Sequence, residues 1–343
     1  MSAPYYMPAE WEKHERCWMA WPCREEVWPD IAKVRSSYAG VAHAIREFEQ
    51  VTMLVPPQLK ASALNELGSD IEIIEMPIDD SWARDSGPTF VVDGQGGLKG
   101  VCYTFNAWGE KYQPYDQDAL MAERILQTIG VDCISSPLVA EGGGLCSDGE
   151  GTVLTTDTCF PNKNRNPDWR QVDIDAELGR TVGAEKVIWL PGDPDDDETD
   201  GHVDGLATFI RPGVVLLEST SEQCGHRADF YRKAREVMES QRDARGRTFE
   251  LISLPEATDA EARGDRFCRS YVNFYYANGA IIAPAYGIKM DDEVKERLQS
   301  IFPERVIRLV GVNHIAEGGG GIHCITQQQP ARCLRRPLLR QIT

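Results

Sequence analysis

Apolar positions along this chain follow two alternating rhythms. Spacings of three and four residues over 31–50, 58–67, 117–129, 170–182, 227–243 and 291–301 predict amphipathic helices. Each leads into a short β-prone run, at 51–55, 71–76, 131–135, 186–190, 248–254 and 305–310. Strand pairs with glycine-containing turns fall between these units. They are 89–92 with 98–105, 206–210 with 214–218, and 271–276 with 280–284. A hairpin, a helix and a further strand, recurring, predict an α/β fold of repeated ββαβ modules. Ala-Glu-Gly-Gly-Gly occurs at 140–144 and again at 316–320, each time shortly ahead of an apolar residue and a cysteine. No Pro/Ser-rich linker interrupts the pattern, so a single domain is expected over 1–330. The segment 331–343 carries Arg332, Arg335, Arg336 and Arg340 and no acid, and reads as a peripheral extension.

Composition narrows the function. With 54 acidic against 36 basic side chains the formal charge is −18, which repels phosphate backbones and anionic lipid and favours a cationic partner. No run of about 18 apolar residues predicts a membrane-spanning helix. Residues 1–10 lack the basic flank and apolar stretch of a secretory signal. Ten cysteines without a CxxC pair argue for reduced thiols, hence a cytoplasmic protein.

Four segments carry candidate chemistry. Gly318-Gly319-Gly320-Gly321-Ile322-His323-Cys324 places a cysteine just beyond a glycine run that lets backbone approach a ligand. If 322–326 is a strand, His323 faces away from the cysteine's site, and the base for Cys324 comes from elsewhere. His202 and Asp204, two apart, share a face in an extended segment, so the carboxylate can orient the imidazole. Trp82-Ala83-Arg84-Asp85 offers a carboxylate and an aromatic wall for a cation. Glu141 precedes Gly142-Gly143-Gly144. Singly, each admits a plainer reading as a buried thiol, an acidic loop, a turn with a local ion pair, or a glycine turn. A metal site is not completed, because no second His-rich segment joins His202.

Together these segments resemble the agmatine deiminases of the guanidino-group-modifying (pentein) superfamily. The likeness spans residues 7 to 330. It runs through Met7-Pro8-Ala9-Glu10-Trp11-Glu12, Trp18-Met19-Ala20-Trp21-Pro22 and Trp82-Ala83-Arg84-Asp85-Ser86-Gly87-Pro88. It continues in Phe105-Asn106-Ala107-Trp108-Gly109, Asn164-Arg165-Asn166-Pro167, Glu198-Thr199-Asp200-Gly201-His202-Val203-Asp204 and Ser270-Tyr271-Val272-Asn273-Phe274-Tyr275, and closes on Ile322-His323-Cys324-Ile325-Thr326. The resemblance implies a five-bladed α/β propeller with its active site on a pseudo-fivefold axis. It implies Cys324 as nucleophile, His202 as general acid/base, and Asp85 and Asp204 as holders of the guanidinium, with Glu141 close by. Trp82 and Glu198 would receive the distal amine of agmatine, with Asp200 and Gly320 beside them. It implies no metal or cofactor, and a homodimer. Three positions depart from the family pattern: Cys146 stands where a histidine is usual, and Gly205 and Gly321 stand where asparagine is.

The chemistry suits those residue types. A guanidinium is a planar, resonance-stabilised cation whose carbon water attacks very slowly. A thiolate is the stronger nucleophile, and an imidazole can protonate the departing ammonia and then deprotonate water. Two carboxylates meet the planar array of N–H donors, each worth roughly 4 kcal/mol of attraction at about 4 Å and an effective dielectric near 20, before desolvation.

Overall fold

The computed structural model describes residues 5–332 apart from Pro194 and Gln223, so the Arg-rich extension lies outside the described residues beyond Arg332. Its five small sheets repeat one plan. β4 (Thr89–Val92), β5 (Leu98–Thr104) and β6 (Asp132–Val139) form the first complete module. β4 pairs with β5 as an antiparallel hairpin, and β5 pairs with β6 in parallel. Parallel pairing needs a crossover, which helix Met121–Ile129 supplies. The same order of pairings recurs in β7 (Cys146–Ser147), β8 (Thr152–Thr156) and β9 (Lys186–Leu190). It recurs again in β10 (Ala207–Arg211), β11 (Val214–Ser219) and β12 (Glu250–Pro255), and in β13 (Tyr275–Ala277), β14 (Ala280–Ala285) and β15 (Val306–Gly311).

The fifth sheet joins the two ends of the fold. β16 (Gln327–Pro330) lies antiparallel to β1 (His14–Ala20), which runs parallel to β2 (Gln50–Val55), itself parallel to β3 (Glu72–Glu75). The five-bladed α/β propeller is thereby closed by its last strand. The central strands explain their own sequences. β8, β11 and β14 are buried along almost their whole length, because helices cover one face and neighbouring blades the other. β11 and β14 read as largely apolar runs and β8 as a threonine-rich one, whereas the outer strands β12 and β15 are partly exposed.

Two local expectations are corrected here. Residues 322–325 form a turn and not a strand, and the pairing strand starts only at Gln327. His202 and Asp204 do not share an extended segment, since His202 caps a single 3-10 turn, Val203–Gly205.

What positions the site is the set of linkers between modules. The β3–β4 linker carries Trp82 and Asp85, the β6–β7 linker Glu141 and Gly143, and the β9–β10 linker Glu198, His202 and Asp204. Asn273 lies between β12 and β13, and Gly320 and Cys324 between β15 and β16. The two copies of Ala-Glu-Gly-Gly-Gly occupy equivalent places, each in the linker that follows the third strand of a module.

Candidate active site

The five linkers meet around Cys324. Its Sγ lies 3.4 Å from Asp204 Oδ2 and receives a hydrogen bond from Asn273 Nδ2 at 3.2 Å. Asn273 Oδ1 accepts from the backbone N–H of His323 at 3.0 Å, so one side chain fixes both the turn and the sulfur. The Thr326 hydroxyl closes the turn by donating to the Ile322 carbonyl at 2.8 Å. At Gly320 an added Cβ would stand 3.1 Å from the Cys324 sulfur and 2.5 Å from the Trp82 ring, so the backbone there is one wall of the space around the sulfur.

Asp85 is held from two sides, by Gly143 N–H at 2.9 Å and by Trp108 Nε1 at 3.0 Å. Trp108 reaches it from a left-handed stretch in which Ala107, Trp108 and Glu110 have φ of 51°, 56° and 60°. Such conformations cost on the order of 1–3 kcal/mol each and persist where surrounding structure imposes them. His202 Nε2 lies 3.4 Å from Glu141 Oε2, and its Nδ1 lies 3.9 Å from Asp85. Glu141 is in turn gripped by Arg165 Nε at 2.6 Å.

The convergence can be read at one backbone position. A Cβ on Gly143 would lie 2.6 Å from His202 Nδ1, 2.8 Å from Asp85 Oδ1 and 3.0 Å from Asp204 Oδ2. Gly143→Ala is therefore expected to displace all three groups and lower kcat by about a hundredfold or more. Steady-state kinetics checks this, with the thermal midpoint as control; an alanine variant of near wild-type kcat would contradict the geometry.

The electrostatics are set by burial and crowding. Burial pushes the Cys324 thiol well above its ordinary value, and the Asp204 and Asp85 carboxylates push it further. Burial alone would lower the His202 pKa, but Asp85, Cys159 and Glu141 outweigh it and hold the imidazole well above its usual range. The empty site thus pairs a neutral thiol with an imidazolium. Burial, with Asp204 and Glu141 nearby, also raises Asp85, against the opposing pull of His202.

His323 has a distinct position. Its Nδ1 lies 2.9 Å from Asp204 Oδ2 and its Nε2 2.8 Å from Glu10 Oε1. It shares a carboxylate with Cys324 and does not face away from the site as a strand would require. Glu10, although buried, is held down at about 2 by His323 and Arg84. Held between two carboxylates, His323 braces the rear of Asp204.

The mouth is an aromatic slot lined by Trp28, Trp82, Trp108 and Tyr112, with Glu198 at its far end and Cys324 at its floor. Trp28 and Trp82 lie 5.7 Å apart, centroid to centroid. Glu198 Oε2 accepts from the Tyr112 hydroxyl at 2.5 Å, and Arg266 stands 3.8 Å away while donating to that same hydroxyl at 2.7 Å. The structure thus brings together Cys324, His202, Asp85, Asp204, Glu141, Trp82, Gly320 and Glu198. Asp200 stands apart: its Oδ2 is shared by Lys111, Asn164 and Arg165 at 2.9, 3.0 and 2.8 Å, and it does not line the slot.

Sequence reasoning singled out neither Asn273, Trp108, Arg165 nor Arg266 as site residues. The first three lie inside motif segments, and that was their only signal. Among the described residues, one group brings metal-ligating atoms together, Glu141, Cys159 and His202, within 4.8 Å of one another. The Arg165 cation on Glu141 opposes a further positive charge there.

Comparison with known proteins places the whole chain. The family model of the Porphyromonas-type peptidyl-arginine deiminases matches residues 6–330. An agmatine deiminase of Stutzerimonas stutzeri is 42% identical, covering 96% of this chain and 97% of that protein. One from Medicago truncatula is 41% identical, covering 95% and 96%. Among solved structures, the agmatine deiminase of Enterococcus faecalis superposes with a TM-score of 0.92 at 35% identity, covering 97% of this chain and 98% of that one.

Proposed function

Because the chain belongs to the Porphyromonas-type peptidyl-arginine deiminase family, we propose that it is a hydrolase of a guanidino C–N bond, and that its substrate is agmatine, converted to N-carbamoylputrescine and ammonia. The observation that carries this reading is the convergence of Asp85, Asp204 and His202 on Gly143, with Asp204 beside Cys324 Sγ and with Cys324 and Asp85 lining an aromatic slot that also carries the Glu198 carboxylate.

The guanidinium lies between Asp85 and Asp204 with its chain along the tryptophans. Its positive charge offsets the carboxylates that hold the Cys324 thiol protonated, so arrival of substrate favours the thiolate. The sulfur attacks the guanidinium carbon. The His202 imidazolium protonates the leaving nitrogen, and an amidino-cysteine remains. His202, now neutral, takes a proton from water as it attacks, and the thiol returns. Glu141 and Asp85 stabilise the charged imidazole between these roles. Asp200 supports this arrangement through Arg165. A cytoplasmic homodimer belongs to the same reading.

Arg266 favours a second reading. Deimination of arginine, free or at a peptide C-terminus, needs a cation to meet the substrate carboxylate, and Arg266 stands at the far end of the slot beside Glu198. It is already engaged by Tyr112, and Glu198 retains an oxygen for an ammonium group, which favours agmatine. Agmatine is expected to exceed arginine in kcat/KM by at least about a hundredfold, the value of one charge partner of roughly 3 kcal/mol. Ureido-product formation from agmatine, arginine and a peptidyl arginine tests this. Comparable values for arginine, lost selectively in Arg266→Met, would establish the second reading.

A further inference from the structure

A second cavity meets the reaction centre from another side. It encloses about 620 Å³, against about 30 Å³ for the aromatic slot. Cys324 lies on the walls of both, whereas His202, Asp204 and Asn273 line only the larger one. None of Trp28, Trp82, Trp108 and Tyr112 borders it, and acids such as Asp193, Asp197, Glu218 and Glu256 do. The atoms that handle protons therefore face a roomy polar chamber, and the aromatic rings face a narrow slot.

The wall of the chamber is rich in charged and polar side chains. Glu218 is 4% exposed; its Oε2 accepts from the Tyr231 hydroxyl at 3.0 Å, and its Oε1 has no donor. The neighbouring Ser270 hydroxyl donates to the Gly205 carbonyl at 3.2 Å and also bears on Glu218, holding its acid down against burial. Burial raises the Glu218 acid to about 8, so it is mainly protonated near neutral pH. Nε of Arg269, on the same wall, also lacks a partner. Gly205, one residue past Asp204, also borders the chamber, and a Cβ there would meet nothing within 4 Å. Its φ is outside the left-handed region, so its backbone does not require glycine.

We propose that this chamber is the solvent passage of the reaction, bringing water to the cysteine-bound carbon and draining ammonia while the substrate chain fills the slot, and that the absent side chain at Gly205 keeps it open. The inference rests on the amidino-cysteine chemistry above. In the first half-reaction the thiol proton passes to solvent as the cationic substrate binds, the S–C bond forms from the thiolate, the C–N bond breaks, and the leaving nitrogen carries away the His202 proton as ammonia. In the second, a water oxygen bonds to carbon and gives a proton to His202, and the C–S bond breaks as the hydroxyl proton follows the sulfur. Ammonia out and water in cross the same side, that of His202.

Gly205→Ala, Gly205→Val and Gly205→Leu test this as a graded series. The leucine variant is expected to lose about tenfold or more in kcat, with KM for agmatine falling in step as the adduct accumulates and kcat/KM within about threefold of wild type. Acid-quenched intact-mass spectra should show a rising fraction of protein carrying agmatine less ammonia, in the order Ala, Val, Leu. Should the leucine variant fail to fold, the alanine and valine steps carry the same trend. An unchanged kcat across the series overturns the proposal, as does a lower kcat without more adduct, or a raised KM with kcat intact. Alkylation of Cys324 by iodoacetamide requires no turnover and should slow in the same order. A wild type that neither consumes agmatine nor forms adduct would refute the reaction, and the alkylation series alone would then decide the passage: the expected slowing supports it, and equal rates overturn it.

Discussion

Replacing Cys324 with serine is expected to lower kcat/KM for agmatine by at least about a thousandfold while leaving the fold and substrate binding in place. The surroundings explain the size of the effect. Even the thiol is held protonated in the empty site by burial, Asp204 and Asp85, and reaches the thiolate only when the cationic substrate offsets those charges. A hydroxyl in the same place is a far weaker acid, and the same burial and carboxylates that hold the thiol protonated disfavour its ionisation too. His202 carries a proton in that state, so in the proposed reaction it serves the leaving group and not the sulfur. The serine variant should bind agmatine in calorimetry, give no covalent adduct in quenched mass spectra, and release no ammonia. Iodoacetamide should inactivate the wild type, and saturating agmatine should slow that loss. A Cys324→Ala protein retaining a tenth of wild-type kcat would remove covalent catalysis from the mechanism.

Much of this arrangement was legible in the residues, for physical reasons. Modules with long amphipathic helices and glycine-turn hairpins announce themselves by period, and the hairpin 89–92 with 98–105 appears as β4 and β5 almost residue for residue. β7 has only two residues, too few to show a period, and it was missed with its partner β8. β1 and β16 were missed because their pairing joins residues more than 300 apart, such as Trp18 with Gln327, and Gln-Gln-Gln-Pro has no alternation. Those gaps concealed how the propeller closes. The facing argument for His323 failed for a related reason: it assumed a strand where four glycines and the Thr326 hydroxyl make a turn. The roles of Asn273 and Trp108 depend on which linkers meet at the axis, which local pattern does not encode.

Asp204→Asn should move two measurements in opposite directions. In the proposed reaction its carboxylate serves the substrate as a hydrogen-bonding counter-charge, so its loss is expected to reduce kcat/KM for agmatine by about a hundredfold or more. The same carboxylate lies 3.4 Å from Cys324 Sγ and is among the charges holding the thiol up. Removing that charge lowers the thiol pKa, so a larger thiolate fraction exists at any pH below it. At this separation a unit charge is worth roughly 2–4 kcal/mol once partial screening is allowed for. The thiolate fraction near neutral pH should accordingly rise about thirtyfold or more, and alkylation of the free enzyme by iodoacetamide, discounted for the weaker nucleophilicity of a lower-pKa thiolate, should become at least about tenfold faster, its pH midpoint moving down. His323 bears on the control. It would lose one of its two carboxylate partners but keep Glu10, so the variant should stay folded, with a modest fall in thermal midpoint. Activity and alkylation falling together, in a protein that still melts cooperatively, would mean that the Asp204 charge does not hold the thiol protonated. The substrate's own cation would then have nothing to offset, and the link between agmatine binding and the nucleophile would fail with it.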